Sequence, residues 1–210
     1  MKAITIVAFG DSITEATTQM PDPARRWPVI LKQRLQALFP NQFIQVINAG
    51  VGGETSREGL ARMKIDVIDH RPDYVLVEFG GNDATPDLAR RVSLDEYQSN
   101  LSAMKERIDS VGGHMLLITF PPVVDKNHVG YNDFKDIGGQ DAFVEQYRRV
   151  TLEFAVKHAL PLADLDQVIR QDPAHFILPD GVHLTEDGNR AAADAILSVV
   201  ANVLKAQVIP

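Results

Sequence analysis

The sequence predicts a single α/β domain over residues 1–210, in which a parallel, doubly wound β-sheet lies between two layers of helices. Two observations carry this prediction. Short apolar runs alternate five times with longer stretches of helical periodicity, which is typical of repeated strand–helix–strand units. The crossovers of such units are right-handed, and a length of 210 residues suits one domain of ordinary size.

The candidate strands are short apolar runs without strict alternation of polar and apolar positions. Continuous apolar character is typical of strands that are buried on both faces of a parallel sheet, so we expect that burial here. The runs are Ile4–Phe9, Phe43–Asn48, Tyr74–Phe79, His114–Phe120 and the short Leu160–Ala163.

The helical stretches have recognisable starting signals. Thr55 with Glu58 and Ser93 with Glu96 have the spacing of capping boxes, and Thr185 precedes the acidic first turn of the last helix. Apolar periodicity predicts helices near residues 27–38, 60–67, 94–111, 143–154 and 193–204.

Composition excludes several classes of function. The apolar fraction of 45% and the charged fraction of 23% are typical of a soluble globular protein. The absence of cysteine excludes a disulfide framework, a thiol nucleophile and cysteine-ligated iron or zinc. A net charge of −7 does not provide the basic surface that nucleic acid or an anionic membrane requires, so we expect neither as a partner.

The apolar run at the N-terminus is short. It covers Ala3–Phe9 and is followed by Gly10-Asp11 without the small residues of a cleavage site. Such a run is too short to span a membrane and is a poor signal peptide. We therefore expect a cytoplasmic protein without stable membrane insertion, although earlier removal of a leader stays open.

Polar and glycine residues follow the predicted strands at the points where ligands bind parallel sheets. Ligands lie beyond the carboxyl ends of such strands, so these segments carry the functional information. They are Gly10-Asp11-Ser12, Asn48–Thr55, Gly80–Asp83 and, before the last helix, Asp180–His183.

These segments contain the groups that acyl transfer requires. The Ser12 hydroxyl needs a base, which His183 provides, and that base needs an orienting carboxylate, which Asp180 provides. The tetrahedral oxyanion needs converging donors, for which the Ser12 and Gly53 N–H groups and the Asn82 amide are suited. The sequence therefore predicts a serine nucleophile that acts through a covalent acyl-enzyme.

The Asp-x-x-His spacing occurs three times, so the spacing by itself identifies nothing. The three pairs are Asp125/His128, Asp172/His175 and Asp180/His183. Only the third lies directly before a well-marked helix, with Gly181 permitting a tight turn. The histidines lack the paired spacing of metal ligands, and we expect neither a metal nor a cofactor.

Four blocks resemble those of the SGNH hydrolases, also called GDSL-type esterases and lipases. They are Phe9-Gly10-Asp11-Ser12, Gly50–Thr55, Gly80–Asp83 and Asp180–His183. The resemblance implies a flavodoxin-like sheet of five parallel strands in the order 2-1-3-4-5, with the residue roles given above. The stretch Ser56–Asp83 is also similar to the bacterial thioesterase/lysophospholipase branch of the family. One position departs from the family pattern, because Ile13 follows Gly10-Asp11-Ser12 where the family has leucine.

The segment Pro121–Gln140 is longer than in the thioesterase-like members of that family. It follows the fourth predicted strand, so we expect it to flank the catalytic edge of the sheet. His128, Tyr131 and Phe134 within it, together with Asp11, are candidate substrate-binding residues. Because this segment is longer, we do not transfer the lipid and thioester substrates of the thioesterase-like members to this chain.

The favoured interpretation is a metal-independent esterase that acts on small esters with short acyl chains, such as acylated sugars, lipids or aryl esters. Acyl transfer to an alcohol, thioesterase or lysophospholipase activity, and assembly into a homo-oligomer stay open. Two other classes compete with it. Asp164 and Asp166 resemble the nucleophile motif of HAD phosphatases, and a flavodoxin-like binding module would explain the fold without catalysis.

Overall fold

The computed structural model describes residues 3–127 and 131–208, and its centre is one five-stranded parallel sheet. The strands follow the spatial order β2-β1-β3-β4-β5, which confirms the predicted fold class and strand order. Their bounds are Ile4–Gly10 (β1), Ile44–Gly50 (β2), Tyr74–Glu78 (β3), His114–Ile118 (β4) and Leu162–Ala163 (β5).

Helices cover both faces of the sheet. The chain reverses its direction across the sheet after β2, so the first crossover helix lies on the face opposite to the later ones. Helix α2 packs against α9 on one face, whereas α4 packs against α3 and α6 on the other. The α-helices are Ser12–Glu15 (α1), Trp27–Leu38 (α2), Ser56–Asp66 (α3), Leu94–Ser110 (α4), Tyr131–Phe134 (α5), Gln140–His158 (α6), Leu165–Ile169 (α7), Pro173–Phe176 (α8) and Glu186–Val208 (α9).

The expectation that every strand is buried on both faces is wrong for β2. Strand β3 is buried along its whole length, whereas Gln45 and Asn48 of β2 are exposed. Phe43, placed in this strand by its apolar character, precedes it and is 63% exposed. The reason is topological, because β2 is an edge strand with one neighbour, and periodicity along a sequence does not distinguish an edge from a centre.

The two capping boxes have different outcomes. At α3, Thr55 accepts from the Glu58 N–H and the Glu58 carboxylate accepts from the Thr55 N–H, as predicted. At α4, Ser93 caps the Glu96 N–H, but the Glu96 carboxylate pairs with Arg57 of α3. In a complete capping box the Glu96 carboxylate would accept from the Ser93 N–H, but here it accepts from the Arg57 guanidinium.

Candidate active site

Ser12 lies where β1 passes into α1, at the carboxyl edge of the sheet. Asp11 is the N-cap of this short helix, and its Oδ1 accepts from the Ile13 N–H at 3.0 Å. A Cβ on Gly10 would overlap Thr14 Oγ1 and lie 2.6 Å from the Glu78 carbonyl, so the turn requires glycine. The cap and the glycine together hold the Ser12 side chain at the end of a central strand.

His183 and Asp180 lie in the tight turn that precedes α9. The turn is closed by Gly181 at a φ of +82° and by Asp180 Oδ1, which accepts from the N–H groups of Val182 at 2.9 Å and His183 at 3.0 Å. On the His183 ring, Nδ1 lies 2.8 Å from Asp180 Oδ2 and Nε2 lies 3.0 Å from Ser12 Oγ. The structure therefore brings the three predicted catalytic side chains into one hydrogen-bonded row.

The charge on Asp180 decides the direction of these bonds. Partial burial acts to raise the pKa of this carboxyl, but the Val182 and His183 N–H groups and the His183 ring outweigh it, and the pKa lies below its ordinary value. An ionised carboxylate can only accept, so His183 Nδ1 carries the proton that the bond requires. His183 Nε2 is then the acceptor for the Ser12 hydroxyl.

The glycine-rich loop after β2 passes beside the nucleophile. A Cβ built on Gly52 would lie 3.8 Å from the Ser12 Cβ. Gly53 has a φ of +79°, and Arg90 donates to its carbonyl at 2.7 Å. Within the described part of the chain the Gly53 N–H has no hydrogen-bond acceptor. The backbone of this loop is therefore held at the Gly53 carbonyl by Arg90, and it passes close to Ser12 at Gly52.

Asn82 lies on the other side of Ser12, in the turn after β3. Its amide Nδ2 donates to Asp11 Oδ2 at 2.9 Å and to the Glu54 carbonyl at 3.1 Å. Both amide hydrogens therefore have acceptors in this structure. Sequence reasoning placed Asn82 in the site but did not anticipate these two partners, since neither is its neighbour along the chain.

A small cavity of about 140 Å³ opens beside Ser12, Asn82 and His183. Its other walls are mostly apolar and are formed by Gly81, Phe120, Val123, Gln140, Val144 and Val182. Gln140 Nε2 donates to the Ala84 carbonyl at 3.1 Å, which holds this side chain in the wall. Val123 and Val182 belong to segments that the sequence places at this edge, whereas no motif pointed to Val144, because apolar residues that line a cavity do not differ in type from core residues.

The four candidate substrate-binding residues fare differently. Asp11 is fully buried, and both of its carboxylate oxygens accept hydrogen bonds, so no surface remains for substrate contact. Phe134 is 1% exposed and its ring stacks on Phe143 at 5.2 Å, which makes it a packing residue. Tyr131 begins α5 without a described side chain, and His128 lies outside the described residues.

The described part of the segment 121–140 contains short helices. This part contains two single-turn 3₁₀ helices, Asp125–Asn127 before α5 and Lys135–Ile137 directly after it. Its ends provide Val123 and Gln140 to the cavity wall, so the described ends flank the site.

The competing motifs have structural roles. His175 Nε2 lies 3.2 Å from Asp187, and Asp172 caps α8. Asp164 is the N-cap of α7, and Asp166 pairs with Arg148 and Arg170.

Two further findings concern residues 3–127 and 131–208. No three side chains among the histidines and acidic residues there are grouped closely enough to hold a metal ion. No helix in the same part of the chain is long and apolar enough to cross a membrane.

One known protein family matches most of this chain. The GDSL-like lipase/acylhydrolase family matches residues 8–191. The chain belongs to this family. The GDSL hydrolase described here is therefore an ester-hydrolysing enzyme, and the resemblance noted in its four blocks is confirmed.

Individual relatives cover most of the chain. The GDSL hydrolase is 37% identical to the thioesterase 1/protease 1/lysophospholipase L1 of Escherichia coli (strain K12), over 91% of this chain and 81% of the relative. It is 35% identical to an arylesterase of Vibrio mimicus, over 85% and 78% of the two chains. A lipase/acylhydrolase from Enterococcus faecalis has the same fold, with a TM-score of 0.74, 27% identity and coverage of 93% and 94%.

Proposed function

We propose that the GDSL hydrolase cleaves carboxylic esters of short acyl chains through an acyl-enzyme formed on Ser12. The observation that supports this most directly is the row Ser12–His183–Asp180, with separations of 3.0 Å and 2.8 Å, at the mouth of a small apolar cavity. The row has the geometry in which a histidine removes the proton of a hydroxyl nucleophile while a carboxylate holds its ring.

The reaction proceeds in two halves. His183 Nε2 takes the Ser12 proton as Oγ attacks the carbonyl carbon, and Asp180 stabilises the resulting imidazolium. The tetrahedral intermediate collapses when the ester C–O bond breaks, and His183 returns the proton to the leaving alcohol. Water then loses a proton to His183, attacks the acyl group on Ser12 and releases the acid.

In this proposal three hydrogen-bond donors stabilise the oxyanion of the tetrahedral intermediate. The Ser12 and Gly53 N–H groups belong to backbone that is already held in place, by the Asp11 cap and by Arg90 respectively. The Asn82 amide gives up the hydrogen that it shares with the Glu54 carbonyl at 3.1 Å. An oxyanion is a stronger acceptor than a neutral carbonyl, so the exchange favours the transition state.

Cavity size supports a short acyl chain. A cavity of about 140 Å³ is close to the volume, roughly 150 Å³, in which an engineered apolar cavity takes up benzene. Acyl chains of up to about six carbons should therefore fit, and longer chains should not. The name of the Escherichia coli relative makes thioesterase or lysophospholipase activity a second candidate for this chain. The preference for short or long acyl chains in the experiment below distinguishes the two candidates.

The test compares three alanine variants on a series of nitrophenyl esters of increasing chain length. Ser12→Ala and His183→Ala should each lower turnover by about 10⁴-fold or more, because both act in the same covalent step. His175→Ala is the matched control, since His175 pairs with Asp187, and it should stay within about tenfold of the unsubstituted enzyme.

Chain length and labelling complete the test. Turnover of the unsubstituted enzyme should fall beyond about six acyl carbons, and a serine-directed phosphonate should label Ser12. Retention of a tenth of the activity by Ser12→Ala, or preference for long-chain acyl esters, would contradict the corresponding part of the proposal.

A further inference from the structure

Glu78 is a fully buried acidic residue beside the turn that carries the nucleophile. It ends β3, and the sheet register pairs it with Gly10, which directly precedes Asp11. Thr14 Oγ1 donates to Glu78 Oε2 at 3.0 Å, whereas Oε1 has no donor among the described residues. An ionised Glu78 would therefore leave a buried oxygen unpaired, which is costly.

The neighbour of Glu78 is a second buried carboxyl, that of Asp11. Glu78 Oε2 lies 2.8 Å from the position that a Cβ on Gly10, the residue directly before Asp11, would take, and Asp11 accepts from the Ile13 N–H and from the Asn82 amide. Burial, and then the negative charge of Asp11, raise the pKa of Glu78 well above its ordinary value. Burial also raises the pKa of Asp11, to about 7. The shared proton therefore belongs on Glu78, because two N–H donors stabilise the Asp11 carboxylate, whereas Glu78 accepts a side-chain hydrogen bond only from Thr14 among the described residues.

The groups packed around the pair do not neutralise a second charge. Asp83 is a further buried carboxyl, and Tyr97 is a buried phenol whose pKa burial raises well above its ordinary value. Arg62 donates to the Gly10 carbonyl at 3.1 Å, but its guanidinium also pairs with Glu54 at 2.5 Å and with Asp66 at 3.1 Å. Two adjacent carboxylates at this position would repel each other in a medium of low dielectric constant.

We propose that Glu78 is a positioning residue, whose carboxyl group in its acid form donates a hydrogen bond to the Asp11 carboxylate. Asp11, held in this way, orients the Asn82 amide and caps the helix that begins with Ser12. Glu78 itself does not touch the substrate. The inference rests on the proposed function, in which Ser12 and Asn82 act on the ester carbonyl.

The proposal has a consequence for the pH dependence of catalysis. When Glu78 loses its proton at alkaline pH, the Asp11 carboxylate loses a donor and gains a repelling neighbour. Asn82 then departs from its orientation, so kcat falls while KM stays nearly constant, because the oxyanion exists only in the transition state. A glutamine at position 78 provides an N–H donor at every pH and should remove this alkaline fall.

The experiment measures kcat and KM on a short nitrophenyl ester from about pH 6 to about pH 10 for four proteins. Glu78→Gln should keep kcat within about threefold of the unsubstituted enzyme near pH 8 and should lose the alkaline fall. Glu78→Leu removes the donor and should lower kcat by about 10²-fold at unchanged KM. Tyr74→Phe is the control at the other end of β3, where a buried hydroxyl has no partner, and it should keep the original profile.

An infrared measurement gives a second readout that does not depend on activity. The unsubstituted protein near pH 8 should show the carbonyl band of a protonated carboxylic acid, and Glu78→Gln should lack it. If the band is the same in both proteins, or if Glu78→Gln retains the alkaline fall, the proposal for Glu78 is overturned. Phosphonate labelling of Ser12 distinguishes a failure of the Glu78 proposal from a failure of the proposed function. An enzyme that is active but not labelled at Ser12 would contradict the proposed function.

Discussion

Asn82 is the residue whose contacts constrain the mechanism most closely. Its amide is held by Asp11 at 2.9 Å and by the Glu54 carbonyl at 3.1 Å, so it is oriented before any substrate arrives. Only the hydrogen on the Glu54 side has to change its acceptor when the oxyanion forms, and the bond to Asp11 limits that movement. Because the Asp11 carboxylate accepts from the Asn82 amide, a change at Asp11 should also change the orientation of Asn82.

Replacement of Asn82 by alanine should therefore affect turnover and not substrate binding. We expect kcat to fall by about 10²–10³-fold, with KM changed by less than about threefold. Asn202→Ala, on an exposed position of α9, is the control and should have full activity. A rise in KM at unchanged kcat would instead show that Asn82 binds the ground state.

Asp83 links stability to pH at the same site. Burial raises its pKa from the ordinary 3.8 to about 6, against the opposing effect of hydrogen bonds from Ser56 and Gly80. Between these two values the folded chain binds more protons than the unfolded chain. The contribution of Asp83 to the free energy of unfolding therefore falls as the pH rises through this window.

Asp83→Asn removes this titration. Loss of carboxylate acceptors for Ser56 destabilises the variant at every pH, but its stability relative to the unsubstituted protein should rise between about pH 4 and pH 6. The gain should be on the order of 1.4 kcal/mol per unit of pKa difference. Urea unfolding at several pH values measures it, and a difference that does not vary between these limits would contradict the assignment.

At the scale of elements, α6 builds one wall of the cavity and fixes another. Its residues Gln140 and Val144 line the cavity directly. Arg148, one turn further on, has a side chain that is 1% exposed and donates to the carbonyls of Phe120 and Pro121, each at 2.9 Å. The same guanidinium pairs with Asp141 at 2.6 Å. One helix therefore sets the position of the segment after β4.

Truncation of Arg148 should be strongly destabilising. Arg148→Met leaves the buried Phe120 and Pro121 carbonyls without their donor and removes one of the partners of Asp141, which keeps the Val123 N–H and Arg170, and should lower the free energy of unfolding by about 3–5 kcal/mol. Arg149→Met is the matched control, since its side chain is exposed on the next position of the same helix, and should change stability by less than about 0.5 kcal/mol. Chemical denaturation of both variants checks the prediction, and equal stability would show that the buried ion pair contributes little.

At the scale of the whole molecule, strand order assembles the site. Strands β1 and β3 are direct neighbours, so the Ser12 and Asn82 turns leave adjacent positions on one edge of the sheet. The loop after β2 reaches the same edge from the other side of β1, and the turn before α9 brings His183 to Ser12. Positions far apart in sequence thus meet because parallel strands all end on one side.

The net charge of −7 acts on substrates approaching this edge. A negative protein repels anionic esters over a range set by the Debye length, about 10 Å at 0.1 M salt. For an anionic ester, kcat/KM should therefore increase with ionic strength, whereas for a neutral ester of the same chain length it should stay constant. A decrease with salt for the anionic ester would reveal a local positive field that outweighs the net charge.

Much of the fold and of the candidate site could be predicted from the sequence. Strand–helix alternation determines a parallel sheet, because each apolar run must be covered by the helix that follows it. The four blocks identified Ser12, Gly53, Asn82, Asp180 and His183, since glycine and polar residues at strand ends stand out against apolar neighbours. The strand order itself came from the family resemblance.

The sequence favoured Asp180/His183 among the three Asp-x-x-His pairs, but only the tertiary structure gave the distance of this pair from Ser12. The tertiary structure alone decided that Asp11 is a buried acceptor and Phe134 a packing residue, because burial depends on elements far away in the sequence. The place of Val144 in the cavity wall and the burial of Glu78 beside the Gly10–Asp11 turn depend on the same packing. The sequence determines which groups are present and on which edge they emerge, whereas distance, burial and charge between them arise only when separate elements pack together.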